Sequence, residues 1–261
     1  MLILYSRGRI VEEGIFYSKV TGTKDMEENM KIIIYLYNGI TMLDAIGPYE
    51  VLRKMTDAEV YFVAEKTGEV KADSGFIDIN VKYSIDDMKS ADILIVPGST
   101  IGFIKEMKNE NVLKWIKEVD KTTKWTTSVC TGSMLLASAG LLTGLKATSH
   151  WKPINLLSDF GAIPTRERIV EQGKYLTAAG VSAGIDMALY LSNKIVGEDE
   201  TRAIQLTIEY DPQPMFNSGN YFNADEKIIK IAENKLSRDA KKGLGLLGMI
   251  KNSKNILKMS K

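Results

Sequence analysis

The chain is poor in the residues that do most metal and redox chemistry, with one cysteine and one histidine in 261 positions. A single thiol excludes an internal disulfide, which fits a reducing compartment. One Cys and one His cannot furnish a structural zinc site or a histidine-rich metal centre, so no metal is expected. An excess of one charge is lacking too, with 34 basic against 33 acidic side chains. Composition therefore gives no general affinity for nucleic acid or acidic ligands. No apolar run reaches the roughly 18 residues of a membrane span, and the N-terminus lacks a signal peptide's long apolar core. These absences lead to the expectation of a soluble, cytoplasmic protein with no membrane span.

What remains is ordinary globular material, 44% hydrophobic and 26% charged, long enough for one large domain with appendages. Strands and helices alternate along it. "KIIIYLY" (31–37) is a short apolar run ended by Asn38-Gly39, and "DAIGPYEVLRKM" follows as a helix whose Pro48 is expected in the first turn. "EVYFVAE" (59–65) and "DILIVPG" (92–98) read as strands, the second closed by Pro97-Gly98. "NVLKWIKEVDK" (111–121) has helical spacing, and "KWTTSV" (124–129) leads into Cys130 and a helix from Thr131 to Ala139. A short strand at 145–149 and helices at 180–197 and 199–210 complete the pattern. Strands spaced by helices imply an α/β fold, a parallel sheet covered on both faces. Ligands of such sheets bind beyond the carboxyl ends of the strands, where Asn38, Gly98 and Cys130 fall.

Both ends differ from this core. Residues 1–29 are polar and weakly patterned, read either as a disordered extension or as sequence upstream of the true start. Residues 225–261 carry ten Lys or Arg against four Asp or Glu, with Ile228, Ile231 and Leu236 giving partial helical amphipathicity. This basic tail is either helices packed on the domain or on a partner copy, or a membrane-surface helix.

At the expected elbow, Cys130 faces the start of a helix. Unpaired N–H groups and the helix dipole would there stabilise a thiolate. Composition alone equally allows an inert buried thiol. Gly132 and Ser133 are small enough for the first turn to approach a neighbouring strand.

"SVCTGSMLLASAGLLTGLKATSHW", together with "YNGITMLDAIGPYEVL" (37–52), "AAGVSAGIDMAL" (178–189) and "IEYDPQPMFNSG" (208–219), resembles the ThiJ/PfpI superfamily, class I glutamine amidotransferase-like proteins. Within it the likeness is to the branch containing isonitrile hydratase. The resemblance covers roughly 31–219 and implies a flavodoxin-like three-layer α/β/α sandwich with a mostly parallel sheet, usually a homodimer. It divides the chain into an extension (1–29), a catalytic domain (30–219) and a basic helical extension (220–261).

The resemblance also implies a chemistry. Protease- and glyoxalase-related members often place His after the nucleophile, but Thr131 stands there in this chain. The isonitrile hydratase pattern of Asp, Cys and Thr maps onto Asp44, Cys130 and Thr131. It implies a small-molecule isonitrile, no cofactor, and a thioimidate formed on Cys130 with Asp44 as acid, then base. For the acid role Asp44 needs a raised pKa; from the residues alone it equally suits a helix cap. Thr131 would hold the carboxylate or the water. Gly47, Gly98, Ser99 and His150 would border the substrate. Ser99 replaces the second glycine of the usual pair after the strand-end proline; its N–H can face the pocket unless the turn needs positive φ. His150 reads as pocket wall before general base, and Trp151 as packing. "YDPQP" reads as a wall or interface element, and Gly180 and Gly184 as sites of close helix packing.

Two other functions stay open. One is a ligand sensor like the sensing half of AraC-type regulators, although the 42 residues after Gly219 are fewer than a paired DNA-binding module uses. The other is a redox sensor whose thiol oxidises to sulfinate.

Overall fold

The computed structural model describes residues 29–259, with side chains as far as residue 245. The expected N-terminal extension, apart from residue 29, lies outside the described residues.

Strand β1 (Met30–Leu36) carries the Ile-Ile-Ile run, and every side chain from Ile32 to Leu36 is buried. Burial of successive residues on both faces marks a central strand covered by helices on two sides. Helix α1 (Met42–Leu52), β2 (Ala58–Ala64), a small hairpin of β3 (Gly68–Lys71) and β4 (Asp78–Val81), and β5 (Tyr83–Ser84) follow. Next come β6 (Ile93–Val96), α2 (Gly102–Glu106), α3 (Glu110–Asp120), β7 (Trp125–Val129) and α4 (Gly132–Ser138). In α3 the Asn109 side chain accepts from the Val112 N–H, while Val112, Trp115, Ile116 and Val119 bury one helical face.

The chain continues through β8 (Lys146–Ala147), a 3-10 helix (Ile154–Phe160), β9 (Ile163–Pro164) and the hairpin of β10 (Ile169–Gln172) and β11 (Tyr175–Ala178). It ends in helices α5 (Ala183–Val196), α6 (Glu198–Thr207) and α7 (Glu226–Met259). Seven strands form one sheet in the order β10-β11-β7-β6-β1-β2-β5. All neighbours are parallel except the antiparallel edge pair β10 and β11. This is the mostly parallel α/β sandwich expected. β1 pairs with β2 on one side and β6 on the other, so the chain reverses its winding between β1 and β6. The carboxyl ends of those strands flank the crevice where such folds bind ligands.

Pro48 stands in the interior of α1 rather than in its first turn. The helix starts earlier, at Met42, and Pro48 packs on Gly184 of α5, where a Cβ would lie 3.3 Å from Pro48 Cδ. The β10–β11 hairpin also went unread, because each strand is four residues long and carries little periodic signal. Among the described residues, no helix is long and apolar enough to cross a membrane.

Candidate active site

Cys130 leaves β7 with φ of 59°, a left-handed backbone that a non-glycine residue adopts only when its surroundings enforce it. They do so through hydrogen bonds. Its N–H donates to the carbonyls of Ala178 and Ala179, and its own carbonyl accepts from the hydroxyls of Ser133 and Ser149. The elbow also requires Gly132, where a Cβ would stand 1.8 Å from the Val96 carbonyl oxygen at the end of β6.

The turn after β6 organises the remaining groups. Gly98 N–H donates to Asp44 Oδ2 at 3.0 Å, and Ser99 N–H donates to Thr131 Oγ1 at 2.8 Å. The Thr131 hydroxyl returns a bond to the Ser99 carbonyl, also 2.8 Å. Tyr37, just beyond β1, donates its hydroxyl proton to the Pro97 carbonyl. Asp44 is fully buried in α1, its Oδ1 has no nitrogen or oxygen donor among the described residues, and its carboxyl interacts with the Cys130 thiol. The N–H groups of Thr131 and Val181 point at the sulfur.

Burial dominates the electrostatics. It pushes the Asp44 carboxyl up to about 7, against the opposing bond from Gly98. Burial also pushes the Cys130 thiol well above its usual value, helped by the Asp44 charge and opposed by the two N–H groups. Burial therefore works against the thiolate that the start of α4 and the two N–H groups favour.

Cys130, Thr131, Ser99 and His150 line one cavity of ≈ 270 Å³, with Thr41, Phe103, Val181 and residues of α7. His150 and Val181 also border a second cavity of ≈ 310 Å³, so the histidine stands in the wall between them. Burial lowers the pKa of His150, and its Nδ1 accepts from the Lys152 N–H.

Five of the remaining expectations change. Neither Gly47 nor Gly98 lines the Cys130 cavity. Gly47 faces α5, where a Cβ would lie 3.0 Å from Ile185 Cγ1, so the position serves helix packing, and Gly98 gives its N–H to Asp44. Ser99 needs no left-handed backbone, since the described non-glycine residues with positive φ are Asp57, Cys130 and Glu209. Its N–H is committed to Thr131 rather than free in the pocket, and the Thr131 hydroxyl is committed to Ser99 rather than to Asp44. Gly184 does permit close packing, but Gly180 makes room for His150, since a Cβ there would lie 3.1 Å from the ring. Trp151 stacks on Tyr221. Tyr37, Val181 and α7 are the parts of the site that sequence reasoning missed. Val181 was within a quoted motif, but backbone donors leave no side-chain signature.

Fold and site together define a flavodoxin-like α/β sandwich with a cysteine displayed at a strand-to-helix elbow. The model of the DJ-1/PfpI family matches residues 30–194, and the chain belongs to that family. Isonitrile hydratase of Pseudomonas putida is 35% identical over 212 residues, which cover 81% of this chain and 92% of that protein. The crystal structure of a ThiJ/PfpI family protein from Pseudomonas syringae matches with a TM-score of 0.77 and 32% identity, over 84% of this chain and 91% of that one. The HTH-type transcriptional regulator CdhR of Pseudomonas aeruginosa is 28% identical over 155 residues, covering 57% of this chain and 45% of the regulator.

Proposed function

We propose that the protein is a cysteine-dependent hydratase that adds water to an isonitrile to give an N-substituted formamide. The observation that carries this reading is the buried Asp44 carboxyl, held by the Gly98 N–H beside the Cys130 thiol at the carboxyl end of β7. Such a pair can hold one proton between two groups and deliver it where a bond forms.

The isonitrile carbon must acquire both a nucleophile and a proton. Ionised Asp44 takes the thiol proton as the sulfur attacks that carbon, and the same proton passes from Asp44 to the carbon. The product is a thioimidate on Cys130, R–N=CH–S. Asp44, again a carboxylate, takes a proton from water as its oxygen adds to the imidate carbon, and returns that proton to nitrogen. The hydroxyl of the adduct then loses its proton through Asp44 to the departing sulfur as the C–S bond breaks. Formamide leaves and the thiol is restored. Thr131 and Val181 assist through N–H groups that favour negative charge on sulfur. In this reading Thr131 is a positioning residue whose hydroxyl locks the elbow to the β6 turn, and His150 borders the substrate as a neutral wall.

The burial of Cys130 weighs against the redox-sensor reading, since peroxide oxidises accessible thiolates. We read residues 30–219 as the catalytic domain of a cytoplasmic homodimer, with exposed Met215 and Phe216 available for subunit contact. The test is formamide formation from cyclohexyl isocyanide. Native protein is expected to make it, and Cys130→Ala and Asp44→Asn are expected not to; no product from native protein at any pH between 5 and 9 would refute the reading.

A further inference from the structure

Helix α7 lies outside residues 30–194, the part matched by the family. Four of its residues nevertheless line the Cys130 cavity: Glu233, Leu236, Ser237 and Ala240. Their spacing of three, one and three residues places them on a single helical face. Small Ser237 and Ala240 leave that face shallow, whereas Leu236 projects a branched apolar side chain.

Contacts on both sides of this stretch hold the helix to the domain. Glu233 pairs with Lys152, and Gly243 lies so close to Ile101 that a Cβ would stand 3.1 Å from two of its carbons. The ten residue steps from one anchor to the other span about 15 Å of helix. Across the cavity stand Phe103 and Ile104 of α2, with Pro153 and Val181. The two charged side chains at the cavity are paired with each other, so an ionised ligand would find no free counter-charge there. The volume of ≈ 270 Å³ is below the roughly 300 Å³ at which pockets for drug-sized ligands begin.

We propose that the first half of α7 is the roof of the reaction pocket, and that Leu236 and Ala240 set which N-substituent it admits. On the hydratase reading above, the substrate class is a compact, uncharged alkyl or aryl isonitrile.

The roof can be tested without turnover. Alkylation of Cys130 by N-methylmaleimide and by N-cyclohexylmaleimide uses one reacting group and two substituent sizes. Leu236→Ala is expected to raise the cyclohexyl rate about tenfold while the methyl rate stays within about twofold, since each methylene in an apolar pocket is worth about tenfold or more. Ala240→Leu is expected to lower the cyclohexyl rate by a similar factor, and Leu244→Ala, further along the helix, to change neither. Melting curves identify a variant that has lost its fold; Leu236→Val then replaces Leu236→Ala, with the same expected sign. Unchanged rate ratios in the folded variants would overturn the roof whatever turnover showed. Shifted ratios without formamide production would remove the isonitrile reading and leave the roof standing.

Discussion

Gly98 donates its N–H to Asp44 Oδ2 at 3.0 Å, so the end of β6 holds the carboxyl of α1 against Cys130. Glycine is required for this approach. A Cβ at Gly98 would lie 2.4 Å from the Thr131 nitrogen and 2.9 Å from Cys130 Cβ. Gly98→Ala must therefore push the turn and the elbow apart. We expect a loss of about 3 kcal/mol in stability, read by denaturant unfolding, and, on the hydratase reading, loss of isonitrile turnover in the folded fraction.

Ionised Asp44 is the base that turnover needs, and its pKa is about 7. On the hydratase reading kcat/KM should rise as pH increases through about 7, where the carboxyl loses its proton. An infrared titration gives the same midpoint directly. The band of a protonated, buried carboxyl should fade near pH 7 in native protein and be missing from Asp44→Asn. A midpoint near 4 would contradict the burial that the structure assigns to this group.

The same shift sets a stability trend. Asp44 has an ordinary value of 3.8 and a folded value of about 7. Between those two, the unfolded chain has released the proton while the native state keeps it. Stability is therefore full below about 4, falls as pH rises through 7, and stays lower above it. The contribution is at most about 4 kcal/mol. Asp44→Asn removes it, so the variant should gain in melting temperature relative to native protein at pH 8 and lose that gain at pH 4.

Thr131 has a hydroxyl that satisfies both the N–H and the carbonyl of buried Ser99. Thr131→Val keeps the shape and strands both groups, at a cost of about 1–3 kcal/mol each. We expect a clear fall in melting temperature and a slower reaction at Cys130. Thr131→Ser restores the hydroxyl and should recover most of both. A loss in Thr131→Ser with none in Thr131→Val would mean that the methyl, not the hydroxyl, does the holding.

The sequence by itself determined the alternation of strands and helices, the placing of Cys130 at the elbow after β7, and the need for a small residue at Gly132. These depend on local features: an apolar run of strand length, a turn signal, a short side chain. By likeness to a family it also brought Asp44, Cys130 and Thr131 together, and the structure does place the three within one network. The tertiary structure alone decided their electrostatics. A helix start favours a thiolate, yet the thiol pKa is raised, because desolvation depends on everything packed around the sulfur and no local pattern reports it. Packing likewise turned Gly47 toward α5, committed the Ser99 N–H to Thr131, and set Pro48, inside α1, against Gly184. It also brought α7 across the Cys130 cavity, since an amphipathic helix carries its apolar face in its sequence but the surface that will cover that face only in the folded chain.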